Sequence, residues 1–295
     1  MIIKREGCHT ELDIYEPYEV DGRYLSGVED LVDLTPVLEN VVLAGEGKFI
    51  TAENDIHALS IELAVARAEL LDSQLTQEVM DIPGSASYKN RAFLNNLMSA
   101  TSDTDFFNLK NYLEVGCHLG ATFISSCFTN QNLINEAYVI DKFLHGENTE
   151  NEFKENCIKF LGSAPKNLFS EDCFATDIQK IKEKIDIYFF DGPHTVMDHE
   201  KALTHYEPVF NDNLIVIIDD WNDHRVKLGT MRGLAKINYN VAWFHEMPAH
   251  THISDWGGGA VKRHRFKSEK TLQLSGFGDP CRWWNGTMAI VLSRK

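Results

Sequence analysis

Two hydrophobic periodicities divide the chain. From about residue 109 onward, short apolar runs alternate with longer, more polar stretches, the runs falling at 112–115, 137–140, 167–169, 185–190, 214–218, 240–244 and 287–292. Continuous rather than alternating hydrophobicity marks strands buried on both faces, as in a parallel sheet covered by helices. The β-then-α rhythm predicts a doubly wound α/β domain. Earlier in the chain the period is helical. Ile56, Leu59, Leu63, Ala66 and Leu70 recur at three- and four-residue spacing, with Glu53 and Asp55 near the start. They predict one amphipathic helix of roughly five turns. Its apolar stripe is suited to pack on the main domain, to act as a lid or to meet a second subunit. The segment before it, rich in Glu, Asp and Gly, reads as an irregular arm. Pro83-Gly84-Ser85 breaks the chain, and a second helix is expected over 89–98. The organisation expected is therefore a partly helical N-terminal extension over 1–90 and the main domain over 91–295. Residues 247–285, too long for a turn, form an insertion near the site.

Composition narrows the function classes. Of 295 residues, 28 are Lys or Arg and 44 are Asp or Glu, a formal net charge of −16. Such a surface repels phosphate backbones and argues against nucleic-acid binding, while tolerating a cationic ligand. No apolar run approaches the ~18 residues that a membrane span needs. Six cysteines, at 8, 117, 127, 157, 173 and 281, show no paired spacing. They read as reduced thiols in a cytoplasmic protein.

Candidate chemistry gathers at the ends of the predicted strands. After the first run comes Glu114-Val115-Gly116-Cys117-His118-Leu119-Gly120. Two glycines at this spacing let a loop turn tightly and bring backbone close to a ligand, though a plain strand-to-helix turn would use them equally. The loop lacks GxGxxG and the phosphate-gripping lysine of a nucleotide-triphosphate loop. Asp141 ends the second run, placed to accept hydrogen bonds from both hydroxyls of a ribose. Asp172 and Cys173 follow the third, where an adenine would meet a carboxylate and a backbone amide.

The Glu-x-Gly-x-x-x-Gly loop, the acid after the second strand and the strand pattern together resemble class I S-adenosylmethionine-dependent methyltransferases over roughly residues 90–295. The resemblance implies a Rossmann-like seven-stranded sheet whose last strand is antiparallel. It also implies that Glu114, Gly116, Gly120, Asp141, Asp172, Cys173 and Asp191 surround the methyl donor. Cys117 and His118 depart from the family loop and read as spectators.

The fourth run ends Asp191-Gly192-Pro193-His194 and the fifth Asp219-Asp220-Trp221. Three carboxylates at neighbouring strand ends raise one another's pKa, and a hard dication such as Mg²⁺ relieves the repulsion. Helix capping by one of the Asp219–Asp220 pair is the structural alternative. These phrases resemble the divalent-metal-dependent O-methyltransferases of the macrocin-like and catechol-like groups. That likeness implies Asp191, Asp219 and Asp220 as metal ligands and His194 as general base. A dication lowers the pKa of an acceptor hydroxyl, and a histidine takes its proton. The His250-x-His252 pair would suit a separate transition-metal site only on a β-rich barrel, which the pattern does not show. With Trp256, Trp283 and Trp284 it is expected to line the acceptor pocket, although ordinary core packing would explain either of the paired tryptophans equally well. The activity expected is methyl transfer to a hydroxyl of a small-molecule acceptor, in a homodimer formed through the N-terminal helix. The alternatives are a metal-dependent α/β hydrolase without a methyl donor and a non-catalytic cofactor-binding protein.

Overall fold

The computed structural model describes residues 52–102, 109–144, 146–247, 283 and 285–295. Cys8, the arm over 1–51, His250, His252, Trp256, Cys281 and Trp284 lie outside them. Three helices come first: α1 (Ala52–Glu69), α2 (Gln77–Met80) and α3 (Tyr88–Ser102). Strands and helices then alternate: β1 (Asn111–Val115), α4 (Ala121–Cys127), β2 (Glu136–Ile140), α5 (Thr149–Leu161), β3 (Asn167–Phe169) and β4 (Ile185–Phe190). The remainder is α6 (Val196–Thr204), β5 (Phe210–Asp219), α7 (His224–Lys236), β6 (Tyr239–Met247) and β7 (Thr287–Arg294). Every apolar run named above is a strand.

The seven strands form one sheet in the order β3-β2-β1-β4-β5-β7-β6. Strands β1 to β5 pair in parallel, and β7 runs antiparallel to both β5 and β6. This is the Rossmann-like arrangement that the resemblance implied. Alternate residues of each central strand enter two separate cores. Tyr112, Ile187, Phe189, Ile215 and Ile217 face the layer containing α1 to α5. Leu113, Val115, Tyr188, Phe190, Val216 and Ile218 face α6 and α7. A strand that must satisfy both layers has no polar side to spare, which is why its sequence is continuously apolar.

Helix α1 has the predicted length, and of the roles open to its apolar stripe, packing on the main domain falls instead to another face of the helix. Leu59, Leu63 and Leu70 are 62%, 52% and 74% exposed, while Ala58, Ile61, Ala64, Val65 and Ala68 are buried. The helix is apolar on two sides, and the side with small residues is the one that seats against α3 and reaches β6 and β7. Alanines allow close helix approach that leucines would prevent. Trp283 closes the same region: its ring packs edge-on to Phe93 of α3 at 5.9 Å and its Nε1 donates to Glu69. This tryptophan is a core residue rather than pocket lining.

Helix α3 starts with a fully buried guanidinium. Arg91 Nη1 donates to the carbonyls of Met80 at 2.6 Å and Ile82 at 2.9 Å, and Nε to that of Ala86 at 3.2 Å. One side chain thereby ties together the carbonyls on either side of the Pro83-Gly84-Ser85 bend. Burial lowers its pKa to about 10, still far above neutrality. No helix among the described residues is long and apolar enough to cross a membrane.

The inward face of α1 is open to measurement. Ile61→Ala should cost about 2–4 kcal/mol of folding free energy in chemical denaturation, whereas Leu63→Ala in dilute solution should stay within about 0.5 kcal/mol.

Candidate active site at the carboxyl edge of the sheet

Strand register assembles the site. Val115 pairs with Ile140 on one side and Phe190 on the other, and Phe190 pairs with Ile218. The next residues, Gly116, Asp141, Asp191 and Asp219, therefore stand in one row at the carboxyl edge of the parallel strands. Open α/β sheets bind ligands at this edge.

At the glycine loop, Gly116 has φ +89° and Gly120 φ +91°. A Cβ on Gly116 would lie 1.9 Å from the backbone oxygen of Asp191, so this glycine lets two strand-end loops touch. A Cβ on Gly120 would lie 2.9 Å from Ile124 and 3.0 Å from Phe153. Both glycines are demanded by backbone conformation and internal packing, before any ligand is considered. Asp141 clamps the loop: Oδ2 accepts from the backbone N–H of His118 at 2.7 Å and Oδ1 from that of Phe143 at 2.6 Å. His118 and Phe143 both have positive φ, at 47° and 52°, so the clamp holds two sharp turns. Cys117 is buried, and burial raises its thiol well above the usual range.

Glu114 lies beneath this loop rather than in it. It is fully buried, Oε1 accepting from Thr122 Oγ1 and Oε2 from Tyr112 Oη, both at 2.5 Å. Burial raises its pKa to about 8, against the pull of those two hydroxyls and with help from Asp191 and Asp141. Asp172 is half-exposed beyond β3, with Lys142 Nζ 3.7 Å away, and its Oδ1 accepts from the Phe174 N–H at 3.0 Å. Cys173 is buried, and its carbonyl accepts from Tyr206 Oη.

At the acidic end, Asp191, His194 and Asp220 present ligand atoms that all lie within 4.8 Å of one another. His194 Nε2 is 2.9 Å from Asp220 Oδ2 and 3.7 Å from Asp191 Oδ1. Asn285 Nδ2 fixes the other oxygen of Asp220 at 2.9 Å. Asp219 stands behind this group: its Oδ1 accepts from Asn90 Nδ2 at 3.2 Å and Thr287 Oγ1 at 3.1 Å. Asn90 itself is held by Ser87 and also donates to Thr287. Asp220 has φ 54°, a left-handed turn that aspartate tolerates better than most residues. Among the described residues, Asp223 rather than Asp219 or Asp220 caps the next helix, accepting from the Arg225 N–H at 2.8 Å.

The electrostatics follow from burial. Burial raises Asp191 to about 6, opposed by the His194 hydrogen bond and reinforced by Asp220. Asp219 is raised well above the carboxylate range by burial and then by Asp191 and Asp220. Burial alone would lower His194, but its hydrogen bonds to Asp191 and Asp220 and their charges raise it to about 11. The two carboxylates thus favour the protonated form of His194. His199 lies behind it, buried against Phe190, and burial lowers its pKa to about 3. It is a packing residue.

The carboxylate oxygens of Asp191 and Asp220, converging at this distance, fit a divalent cation, and the His194 nitrogen beside them would join the donor set only as the neutral imidazole. Of the carboxylates expected to bind metal, Asp191 and Asp220 meet the group, and Asp219 is engaged by Asn90 and Thr287. The network of Ser87, Asn90, Thr287 and Asn285 was not anticipated. Its links span up to 197 residues of sequence and carry no local signal.

No known family profile matches the chain, and no curated protein matches it. Among solved structures, TrmN from Thermus thermophilus aligns at 10% identity over 74% of this chain, with a TM-score of 0.45. The chain spans about half of TrmN, covering 52% of it. The O-methyltransferase TomG from Streptomyces achromogenes, in complex with SAM, aligns at 11% identity, covering 83% of this chain and 100% of TomG, with a TM-score of 0.45. Coclaurine N-methyltransferase, bound to N-methylheliamine and SAH, aligns at 12% identity, covering 92% and 98% of the two chains, with a TM-score of 0.41.

The buried Glu114 yields a pH test. Its proton is held up to about pH 8 when folded and released near 4.5 when unfolded, so stability falls as pH rises through that window. Glu114→Gln, which cannot ionise, should lose this dependence. Relative to the parent, it should gain about 1–3 kcal/mol in urea unfolding between pH 5 and pH 8.5. Parallel curves for the two proteins would mean that Glu114 ionises normally.

Proposed function

We propose that this protein is an S-adenosylmethionine-dependent methyltransferase acting on a hydroxyl of a small molecule, with a divalent cation at the acidic end of the site. The observation that carries the reading is the direct abutment of two half-sites. The glycine loop at Gly116 touches the backbone of Asp191, and Asp191 belongs to the Asp-His-Asp group. A donor lying along the loop would bring its methyl carbon beside an oxygen held at that group, and positioning of this kind supplies much of the rate of a displacement.

In this reading Asp141 accepts the ribose hydroxyls while holding its two turns, and Asp172 with the Cys173 backbone meets the adenine. Gly116 and Gly120 shape the loop around the amino-acid moiety, and Glu114 supports the loop from below. Asp191 and Asp220, with Asp219 behind them, would hold the cation, probed with Mg²⁺ or Mn²⁺. A bound dication supplies positive charge that lowers the pKa of a coordinated hydroxyl. His194 is the general base. Asp191 and Asp220 hold a proton on it, so it would serve as a base only after releasing that proton, which a positive charge offsetting theirs would favour. The partly exposed face of His194 is where an acceptor would approach.

Calorimetric titration tests both halves separately. S-adenosylmethionine should bind the folded protein with micromolar affinity. Asp172→Ala should weaken donor binding about 5- to 10-fold, the value of one hydrogen bond, and leave Mn²⁺ affinity unchanged. Asp220→Asn should weaken Mn²⁺ binding by about tenfold or more and leave the donor unaffected. Cation binding without donor binding would favour a metal-dependent hydrolase. Donor binding without a cation would favour a cofactor-binding protein that does not catalyse this reaction.

A further inference from the structure

We propose that α1 is the seam of a homodimer, its outer apolar stripe packing against the same stripe of a second copy with the two helices parallel. This inference is independent of the methyl-transfer reading. A helix that is apolar on one side has an obvious place in a fold, but α1 is apolar on two. Its inner face is buried in the first core. Seven large apolar side chains are exposed among the described residues, and two of them, Leu59 and Leu63, fall on this one stripe, with a third, Leu70, in the turn just past its end. With Ile56 and Ala66 they alternate steps of three and four residues, the period of a two-stranded coil rather than of a helix lying on a broad core.

The flanking charges select the orientation. Glu62 and Glu69 border the stripe on one side and Arg67 on the other. An antiparallel pair would set Glu62 and Glu69 of one helix against the same acids of the second copy. A parallel pair sets Glu62 beside Arg67 of the second copy, five residues further along, and does so twice by symmetry. Glu62 has no ion-pair partner among the described residues, whereas Glu69 is bonded to Lys89 and Arg67 to Asp72. A parallel seam therefore adds a partner to Glu62 without undoing either existing pair. The inner faces of the two helices point away from the seam, so each protomer body lies on its own side. The stripe is short against a standard interface of about 800 Å² per partner, which implies dissociation in the micromolar range.

Sedimentation equilibrium of the full chain from roughly 1 to 200 µM should show monomer passing to dimer. Leu63→Glu, at an exposed position, should remain monomeric throughout with an unchanged circular dichroism spectrum. Glu62→Lys should loosen the dimer about 3- to 10-fold, because it places two cations together. Tightening by Glu62→Lys would indicate acids apposed in an antiparallel seam and would overturn the proposed arrangement. A parent protein that stays monomeric at every concentration would overturn the dimer itself. If Leu63→Glu then also lowered the melting temperature, the stripe would be covered by other residues of the same chain.

Discussion

Everything at the carboxyl edge of this sheet depends on holding buried carboxylates side by side. Parallel pairing forces the residues after β1, β2, β4 and β5 into one row, and in this chain three members of that row are acids, with Asp220 next to the last. Glu114, Asp219 and Asp220 lie where water screens little, and Asp141 and Asp191 are only partly open, so each acid relies on specific partners. Asp141 takes two backbone amides, Asp219 takes Asn90 and Thr287, and Asp220 takes Asn285 and His194. Glu114, one layer below, takes two hydroxyls. His194, a third exposed, is the titratable partner in this arrangement, its protonated form favoured by the carboxylates beside it.

The partners also explain why the helical layer is part of the site. Asn90 stands in the first turn of α3, and Arg91 beside it gathers the carbonyls of the preceding bend. A rotation of α3 would break the Asp219 contact and the Arg91 cage together. The first core is continuous from α1 through α3 to Ile215 and Ile217 of β5, so the same helix that orders Asn90 is itself seated by packing.

How much of this was legible in the sequence follows from the range of each interaction. The strands were legible because burial on two faces removes polar residues from a run, a local signal that survives in one dimension. Strand-end acids were legible because parallel topology sends all such ends to one edge. For α1 the sequence marked one apolar stripe and left open what it meets. The alanine-rich face that packs inward carried less signal, because close packing needs small side chains rather than the most hydrophobic ones. Asn90, Asn285 and Thr287 were invisible for a different reason: a polar residue at a loop end or in a helix looks the same whether its partner is water or a carboxylate 129 residues away. Gly120 was legible as a turn, and the packing of Ile124 and Phe153 against it, which also demands a glycine there, was not.

The distribution of hydrogen bonds separates support from chemistry within the site. Asp141, Asp219 and Glu114 have oxygens committed to the protein's own donors, and two of the three are almost wholly buried. Such groups define positions. Asp191 differs. Its backbone N–H is fixed to Val115, but among the described residues its carboxylate meets His194 alone, at 3.7 Å, and keeps a quarter of its surface open. His194 keeps a third of its surface open and is held at 2.9 Å by Asp220. Asp191 thus pairs a fixed backbone with a carboxylate that the surrounding donors leave largely unengaged, whereas Asp141, Asp219 and Glu114 are satisfied from within.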